Sequence, residues 1–307
     1  MDNPHILVVG SSNTDMIIKL DRIPRPGESI LGGEFLTAAG GKGANQAVSD
    51  ARAGGSVTFI ARVGSDMFGD QAIAGFLSEG INVDHLVRDP ASPTGVALIF
   101  VGRDGENSIA VASGANGNLS SADVLNAREA FAGASILIMQ LETPLETLQT
   151  AADLALDAGV RVILNPAPAR PLPDSLLRHV SILTPNETEA ESLTGIKVDS
   201  PAAAAEAAGQ LMARGVQTVI VTMGIRGAFV ADAATRQLVS AFKVDAVDTT
   251  AAGDTFNGAL AVALAEGQPL DQAVRFANAA AAISVTRIGA QPSVPKRREI
   301  EQFLATH

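Results

Sequence analysis

The stretch Asp248-Thr249-Thr250-Ala251-Ala252-Gly253-Asp254-Thr255-Phe256 runs straight into a helix-forming segment. Ala251, Ala252 and Gly253 are small and leave their main-chain N–H groups uncovered at the helix start. Those N–H groups and the helix dipole suit a phosphate whose charge grows in a transition state. Asp254 falls in the first turn, where a carboxylate can also be a plain cap. A cap needs no Ala-Ala-Gly beside it, so the combination points to phosphoryl transfer with Asp254 as base.

Four other segments carry polar or glycine-rich chemistry. Gly10-Ser11-Ser12-Asn13-Thr14-Asp15 sits at the carboxyl end of the first expected strand, where open α/β sheets bind ligands. Asn13 and Asp15 suit vicinal sugar hydroxyls, and a polar turn is the competing reading. Gly40-Gly41-Lys42-Gly43-Ala44-Asn45-Gln46 opens a helix. It is no Walker A loop, because Gly43 follows Lys42 where Ser or Thr should stand. A ligand loop and a helix-packing glycine cluster explain it equally well. Asn186-Glu187-Thr188-Glu189 begins a helix and could hold a Mg²⁺-bound phosphate through waters, chiefly by Asn186 and Glu189, or could be an ordinary acidic first turn. Thr222-Met223-Gly224-Ile225-Arg226-Gly227 follows a buried strand and could pass its backbone over a base or phosphate; a β-turn explains it almost as well.

The elements that must position these residues follow an α/β rhythm. Continuous apolar runs at 6–9, 57–60, 136–139, 162–164, 182–183 and 219–221 read as parallel strands buried on both faces. Helical stretches lie at 43–53, 67–80, 120–131, 144–158, 186–194 and 201–214. Two more, at 253–266 and 269–286, should cover one face. The expected fold is α/β, a doubly wound, mostly parallel sheet flanked by helices. Residues 14–36 and 94–112 break the rhythm as short strands, with Asp104-Gly105 a hairpin signal, and predict a small β lid or an extra sheet edge. A length of 307 residues is about two domains at ~150 residues each. With no linker or repeat, a single domain over 1–307 carrying that lid fits better.

Composition removes other classes. With 47% hydrophobic and 18% charged residues, disorder is excluded. Lys and Arg number 22 against 33 Asp and Glu, a net charge of −11, so neither nucleic acid nor a membrane surface finds a basic footprint. There is no cysteine, and His5, His85, His179 and His307 are scattered, which argues against zinc. No apolar run reaches the ~18 residues of a membrane span, and the N-terminus lacks a basic leader. A soluble, cytoplasmic protein is expected.

Taken together the segments resemble the ribokinase, or PfkB-type, family of carbohydrate kinases. The resemblance runs from Val8-Val9-Gly10-Ser11 to Gly289-Ala290-Gln291-Pro292-Ser293-Val294-Pro295. Both family signatures are present, at 40–47 and 248–259, and 165–169 and 184–190 look like the ribose-specific members. The resemblance implies ATP-dependent phosphorylation of D-ribose at its 5-hydroxyl. It implies that Asn13, Thr14 and Asp15 hold ribose, with Gly41, Lys42, Gly43, Ala44 and Asn45 closing round it and Glu142 adding a contact. Asn186, the 222–227 loop, Gly253 and Asn278 would meet ATP, and Asp254 would take the proton. It further implies a K⁺ site of Asp248, Thr250, Ser284, Arg287, Gly289 and Ser293, mostly through carbonyls, and a homodimer formed through the lid. Related kinases act on deoxyribose, fructose or nucleosides. A non-catalytic sugar or nucleotide sensor on the same fold should lack the base or the anion hole. A dinucleotide oxidoreductase fails for want of GxGxxG after the first strand.

Overall fold

The computed structural model describes residues 4–103 and 106–307. The Asp104-Gly105 hairpin signal lies outside the described residues. Among those residues there are thirteen strands. They are β1 (His5–Val9), β2 (Asn13–Lys19), β3 (Glu34–Gly40), β4 (Ser56–Gly64), β5 (Leu86–Asp89), β6 (Gly95–Val101), β7 (Asn107–Ala112), β8 (Ile136–Met139), β9 (Arg161–Leu164), β10 (Ile182–Leu183), β11 (Thr218–Thr222), β12 (Ala228–Ala231) and β13 (Arg236–Val239). The α-helices are α1 (Lys42–Ala53), α2 (Met67–Ser78), α3 (Ser121–Asn126), α4 (Leu145–Ala158), α5 (Asp174–Leu177), α6 (Glu187–Thr194), α7 (Pro201–Ala213), α8 (Ala252–Ala265), α9 (Leu270–Ser284) and α10 (Arg297–Thr306).

Nine strands form the main sheet in the order β13-β12-β11-β10-β9-β8-β1-β4-β5. It is parallel except at the β11–β12 and β12–β13 pairs. Alternation within each strand divides the core between its faces. Ile6, Val8, Ile136 and Ile138 join a cluster with α1, α8 and α9, whereas Leu7, Val9, Leu137 and Met139 join one with α4 and α7. This double burial is why the strands read as unbroken apolar runs. As expected, α8 and α9 cover one face. No helix among the described residues is long and apolar enough to cross a membrane.

The other four strands form a separate sheet, β3-β2-β6-β7, in which β2 runs antiparallel to β3 and parallel to β6. Its strands reach beyond the expected span: β3 continues to Gly40 and β2 begins at Asn13. The chain therefore passes from main to small sheet at Gly10–Ser12 and returns directly into α1. The expected 120–131 helix is broken into α3 and a 3-10 turn at Arg128–Phe131. The antiparallel edge β12–β13, the opposite edge strand β5 and the helices α5 and α10 are not among the expected elements.

Candidate active site

The Gly10–Asp15 and Gly40–Gln46 segments make one wall. Side chains are excluded where the two meet: a Cβ at Gly40 would strike the Asp15 carboxylate, and one at Gly43 would strike Gly10 and Ser11. Gly41, at φ +90°, lies against Ser12 and Asn13. The glycines thus serve close chain packing, and that packing brings Asn13, Asp15, Lys42, Asn45 and Gln46 together. The first N–H groups of α1 are already bonded: Lys42 N to Glu142 Oε2 (3.0 Å), Gly43 N to Ser11 Oγ (3.3 Å) and Ala44 N to Ser11 O (2.8 Å). Ser11 Oγ itself donates to Glu142. Gly43 and Ala44 therefore shape the wall and offer no free donor.

Asn13 is held from behind by Asn116, whose Nδ2 donates to Asn13 Oδ1 (2.7 Å) and whose Oδ1 accepts from Ser12 N (2.8 Å). Thr14 is buried beside it. Asp15 receives no hydrogen bond from the described residues. Burial first, then the charges of Glu142 and Asp254, push its carboxyl up to about 6. Three carboxyls thus converge on one space, and neutral hydroxyl donors are the groups that relieve them.

Asp254 stands in the first turn of α8, 5% exposed. Its Oδ2 accepts from Asn45 Nδ2 (3.0 Å) and its Oδ1 from Gln46 Nε2 (2.9 Å). Burial raises its pKa, while the nearby Lys42 ammonium and these two amides oppose the rise. Asp254 in turn raises the pKa of Lys42. Ala251 is in the left-handed region at φ +57°, alone among the described non-glycine residues, which costs ~1–3 kcal/mol and makes this a constrained turn. The Ala252 N–H closes that turn onto Thr249 O (3.2 Å) and is not free for a phosphate. The N–H groups of Ala251, Gly253 and Asp254 find no acceptor among the described residues, and a Cβ at Gly253 would meet open space. An anion fits there.

Of the expected nucleotide residues, Asn186 and the 222–227 loop follow the carboxyl ends of β10 and β11, Gly253 opens α8 and Asn278 lies in α9. Asn186 and Glu189 form a reciprocal capping box, Glu189 N to Asn186 Oδ1 (2.8 Å) and Asn186 N to Glu189 Oε2 (2.9 Å), so both expected readings share these side chains. Burial raises the Glu189 carboxyl. Thr222 N donates to Pro185 O (2.9 Å), which sets the 222–227 loop beside Asn186. Within that loop the Met223 side chain belongs to the core, Ile225 is exposed, and Arg226 pairs with Glu187. Met223 can offer a ligand only its backbone. Asn278 Nδ2 is committed to the carbonyls of Val239 and Ser240, both at 3.2 Å, so it anchors the unanticipated sheet edge and leaves only Oδ1 for a nucleotide.

Asp248 joins two loops. Its Oδ1 accepts from Thr250 N (2.9 Å), its Oδ2 from Gly289 N (2.8 Å), and its own N–H donates to Val285 O (3.1 Å). Burial opposes ionisation, yet these bonds hold its carboxyl below the usual range. The side chains of Ser284 and Ser293 turn to Ala281 O and Ala290 O, and Arg287 to Glu299, so this cluster offers carbonyl oxygens and one carboxylate. No group of three or more His, Asp or Glu able to hold a metal occurs among the described residues.

Sequence reasoning missed Asn116 and Gln140, which carry no local signal, and gave no role to Ser11 and Gln46, which lie inside the first and second segments. The fold and the site define an α/β phosphotransferase whose acceptor is a small polyhydroxylated molecule. Residues 3–297 match the pfkB family carbohydrate kinases, and the chain belongs to that family. It is 46% identical over 299 residues to the ribokinase of Haemophilus influenzae, covering 97% of this chain and 98% of that protein. The deoxyribokinase of Salmonella typhi is 38% identical, with 98% of each chain covered. The structure of Arabidopsis thaliana ribokinase complexed with ribose and ATP superposes with a TM-score of 0.92 at 35% identity, covering 99% of each chain.

Proposed function

We propose that this chain transfers the γ-phosphoryl group of ATP to the 5-hydroxyl of D-ribose, giving D-ribose 5-phosphate and ADP. The observation that carries the reading is Asp254, a buried carboxylate beside acceptorless N–H groups and within electrostatic reach of Asp15 and Glu142. The ribokinase relatives support the choice of sugar and nucleotide.

Phosphoryl transfer has a loose transition state, so positioning and charge stabilisation matter more than strong basicity. Asp254 accepts the hydroxyl proton as the oxygen attacks; a pKa raised from the ordinary ~3.9 improves its match to neutral pH. Lys42 opposes that rise and favours the ionised carboxylate. The N–H groups of Gly253 and Asp254 take the charge developing on the transferred group. Asp15, Glu142, Asn13 and Asn45 orient the sugar. Asn186, the 222–227 loop, Gly253 and Asn278 meet the nucleotide.

Mg²⁺ fits Asn186 and Glu189, because Glu189 keeps one oxygen outside the capping box and the ion retains most of its waters. When bound, it neutralises phosphate charge. A monovalent cation such as K⁺ fits the all-oxygen set of Asp248 and the carbonyls of Thr250, Ser284, Arg287, Gly289 and Ser293. When bound, it steadies the two loops. In the same reading one kinase domain spans 1–307 and works in the cytoplasm. The small sheet is its lid, and the exposed Leu36, Ile109 and Val111, which share one face of that sheet, pair two subunits.

The test is ADP release with ATP and Mg²⁺ across a panel of pentoses, hexoses and nucleosides. Ribose should give the highest kcat/KM. A preference for deoxyribose would follow the Salmonella relative and reassign the sugar, and no turnover with any acceptor would leave a sensor.

A further inference from the structure

Asp254 belongs to a closed ring of hydrogen bonds that accepting a proton does not itself require. Gln46 Nε2 donates one hydrogen to Asp254 Oδ1 (2.9 Å) and the other to Asn165 Oδ1 (3.1 Å). Asn165 Nδ2 donates to Thr184 O (3.2 Å), and Thr184 Oγ1 donates to Asn257 Oδ1 (2.6 Å). Asn257 Nδ2 then donates to Gly253 O (2.8 Å), which closes the ring one peptide away from Asp254. The side chains come from α1, α8 and the carboxyl ends of β9 and β10, and all are buried. Gln140 Nε2 donates to Gln46 Oε1 (2.6 Å) and fixes which way that amide points. Reversed, Gln46 would set its oxygen against the Asp254 carboxylate.

The end of the ring at Gly253 has a chemical consequence. Its carbonyl shares a planar peptide with the Asp254 N–H, one of the donors at this turn without an acceptor among the described residues. Holding the oxygen therefore aims the hydrogen. Gln140 Oε1 has no partner among the described residues, but the ring itself is bonded at each step, and a buried network bonded in this way favours one geometry.

We propose that Gln46 is a positioning residue for phosphoryl transfer: through Asn165, Thr184 and Asn257 it couples the orientation of the base carboxylate to that of the anion-binding peptide. The proposal rests on Asp254 being the base. Gln46 touches neither sugar nor nucleotide in this role.

Two variants test it, each made alone and on an Asp254→Asn background. Gln46→Glu keeps the shape and sets a second carboxyl against Asp254, so the pair retains a proton to higher pH. The acid limb of the kcat profile should move up by about one pH unit or more. Thr184→Val cuts the ring without adding charge; by analogy with outer-shell partners of metal ligands, kcat should fall about 10- to 100-fold. Both KM values should stay within about twofold, Thr184→Ser should restore turnover, and neither variant should lower the residual rate of Asp254→Asn further. If Thr184→Val does not fold, the acid limb of Gln46→Glu decides alone. An unmoved limb, a kcat within about twofold of wild type, or an equal loss on the Asp254→Asn background would overturn the ring while the base stands. An active Asp254→Asn enzyme would instead remove the base, and the ring's role with it.

Discussion

Asp254 and Asp15 both have their pKa raised by desolvation, yet they are completed to different degrees. Asp254 lies between α1 and α8 on the main sheet, where two amides bond it and Lys42 stands near. Asp15 lies on the small sheet, accepts no hydrogen bond from the described residues, and faces two like charges. The reacting end is organised before any ligand arrives, as preorganised catalysis requires. In the proposed reading the sugar end is completed by the ligand's own hydroxyls. Such a division suits a binding wall carried partly on a separate sheet, because an unsatisfied acceptor gains most when its donors arrive.

Breaking the organised end should have the largest effect. Asp254→Asn keeps the shape but cannot take the proton, and turnover should fall ~10²–10⁴-fold or more while ATP still binds. Activity within a few-fold of wild type, measured alongside nucleotide titration, would remove Asp254 from the base role. Breaking the open end should act on binding. Hydrogen bonds to a charged group contribute ~1.5–3 kcal/mol each, so Asp15→Ala should raise the ribose KM at least about tenfold with little change for ATP.

The same contrast predicts a pH dependence, with its sign fixed by the shift at Asp15. Only the ionised carboxylate is a full acceptor, and its pKa in the free site is about 6. Ribose KM should be flat above that value and rise as pH falls through it, by about tenfold per unit once the acid form dominates. Asp15→Asn should flatten the curve. A wild-type KM that is level down to pH 5 would show that the charge at this position is not what holds the sugar.

Strand runs, helix positions and the Asp254 turn were legible in the sequence because each is written in contiguous residues. The four-residue strands β12 and β13 were not, since AFVA and RQLV are too short for periodicity to distinguish them from loop. Asn116 was invisible for another reason: it reaches Ser12 and Asn13 across about a hundred residues, and a lone Asn has no local signature. The glycines at 40–43 left packing and ligand binding open. The backbone of Ser11–Asn13, visible only in the fold, shows that they pack closely, and by packing they bring Asn13, Asp15, Lys42 and Asn45 together.

A smaller effect concerns the loops that aim the anion-binding turn. Asp248 already ties 248–250 to 285–289 through main-chain N–H groups, so a cation there would tighten an existing clamp. At constant ionic strength and Mg²⁺, replacing a bulky organic cation by K⁺ should raise kcat or lower the ribose KM a few-fold. Asp248→Ala should erase that response. Equal rates in K⁺, Na⁺ and the organic cation would remove the cation and leave the kinase.

A third carboxyl sharpens the contrast from the other side. Asp50 lies in the last turn of α1, one helical turn beyond Gln46, with 0% exposure and no hydrogen-bond partner for either oxygen among the described residues. It has neither the donors of Asp254 nor the open site of Asp15, and an acid at a helix C-terminus also opposes the dipole. Burial accordingly raises its pKa well above the ordinary value. The folded state then holds a proton that the unfolded chain releases near pH 4, so stability falls as pH rises from there toward the folded pKa. Asp50→Ala removes the penalty and suits a helix interior. The gain at neutral pH should be on the order of 1–3 kcal/mol, at about 2–4 °C in Tm for each. Melting curves of both proteins between pH 4 and 8 would measure it, and the gain should shrink toward pH 4. A variant that melts at or below wild type throughout would mean that Asp50 holds a partner, such as an internal water, and that all three carboxyls are used.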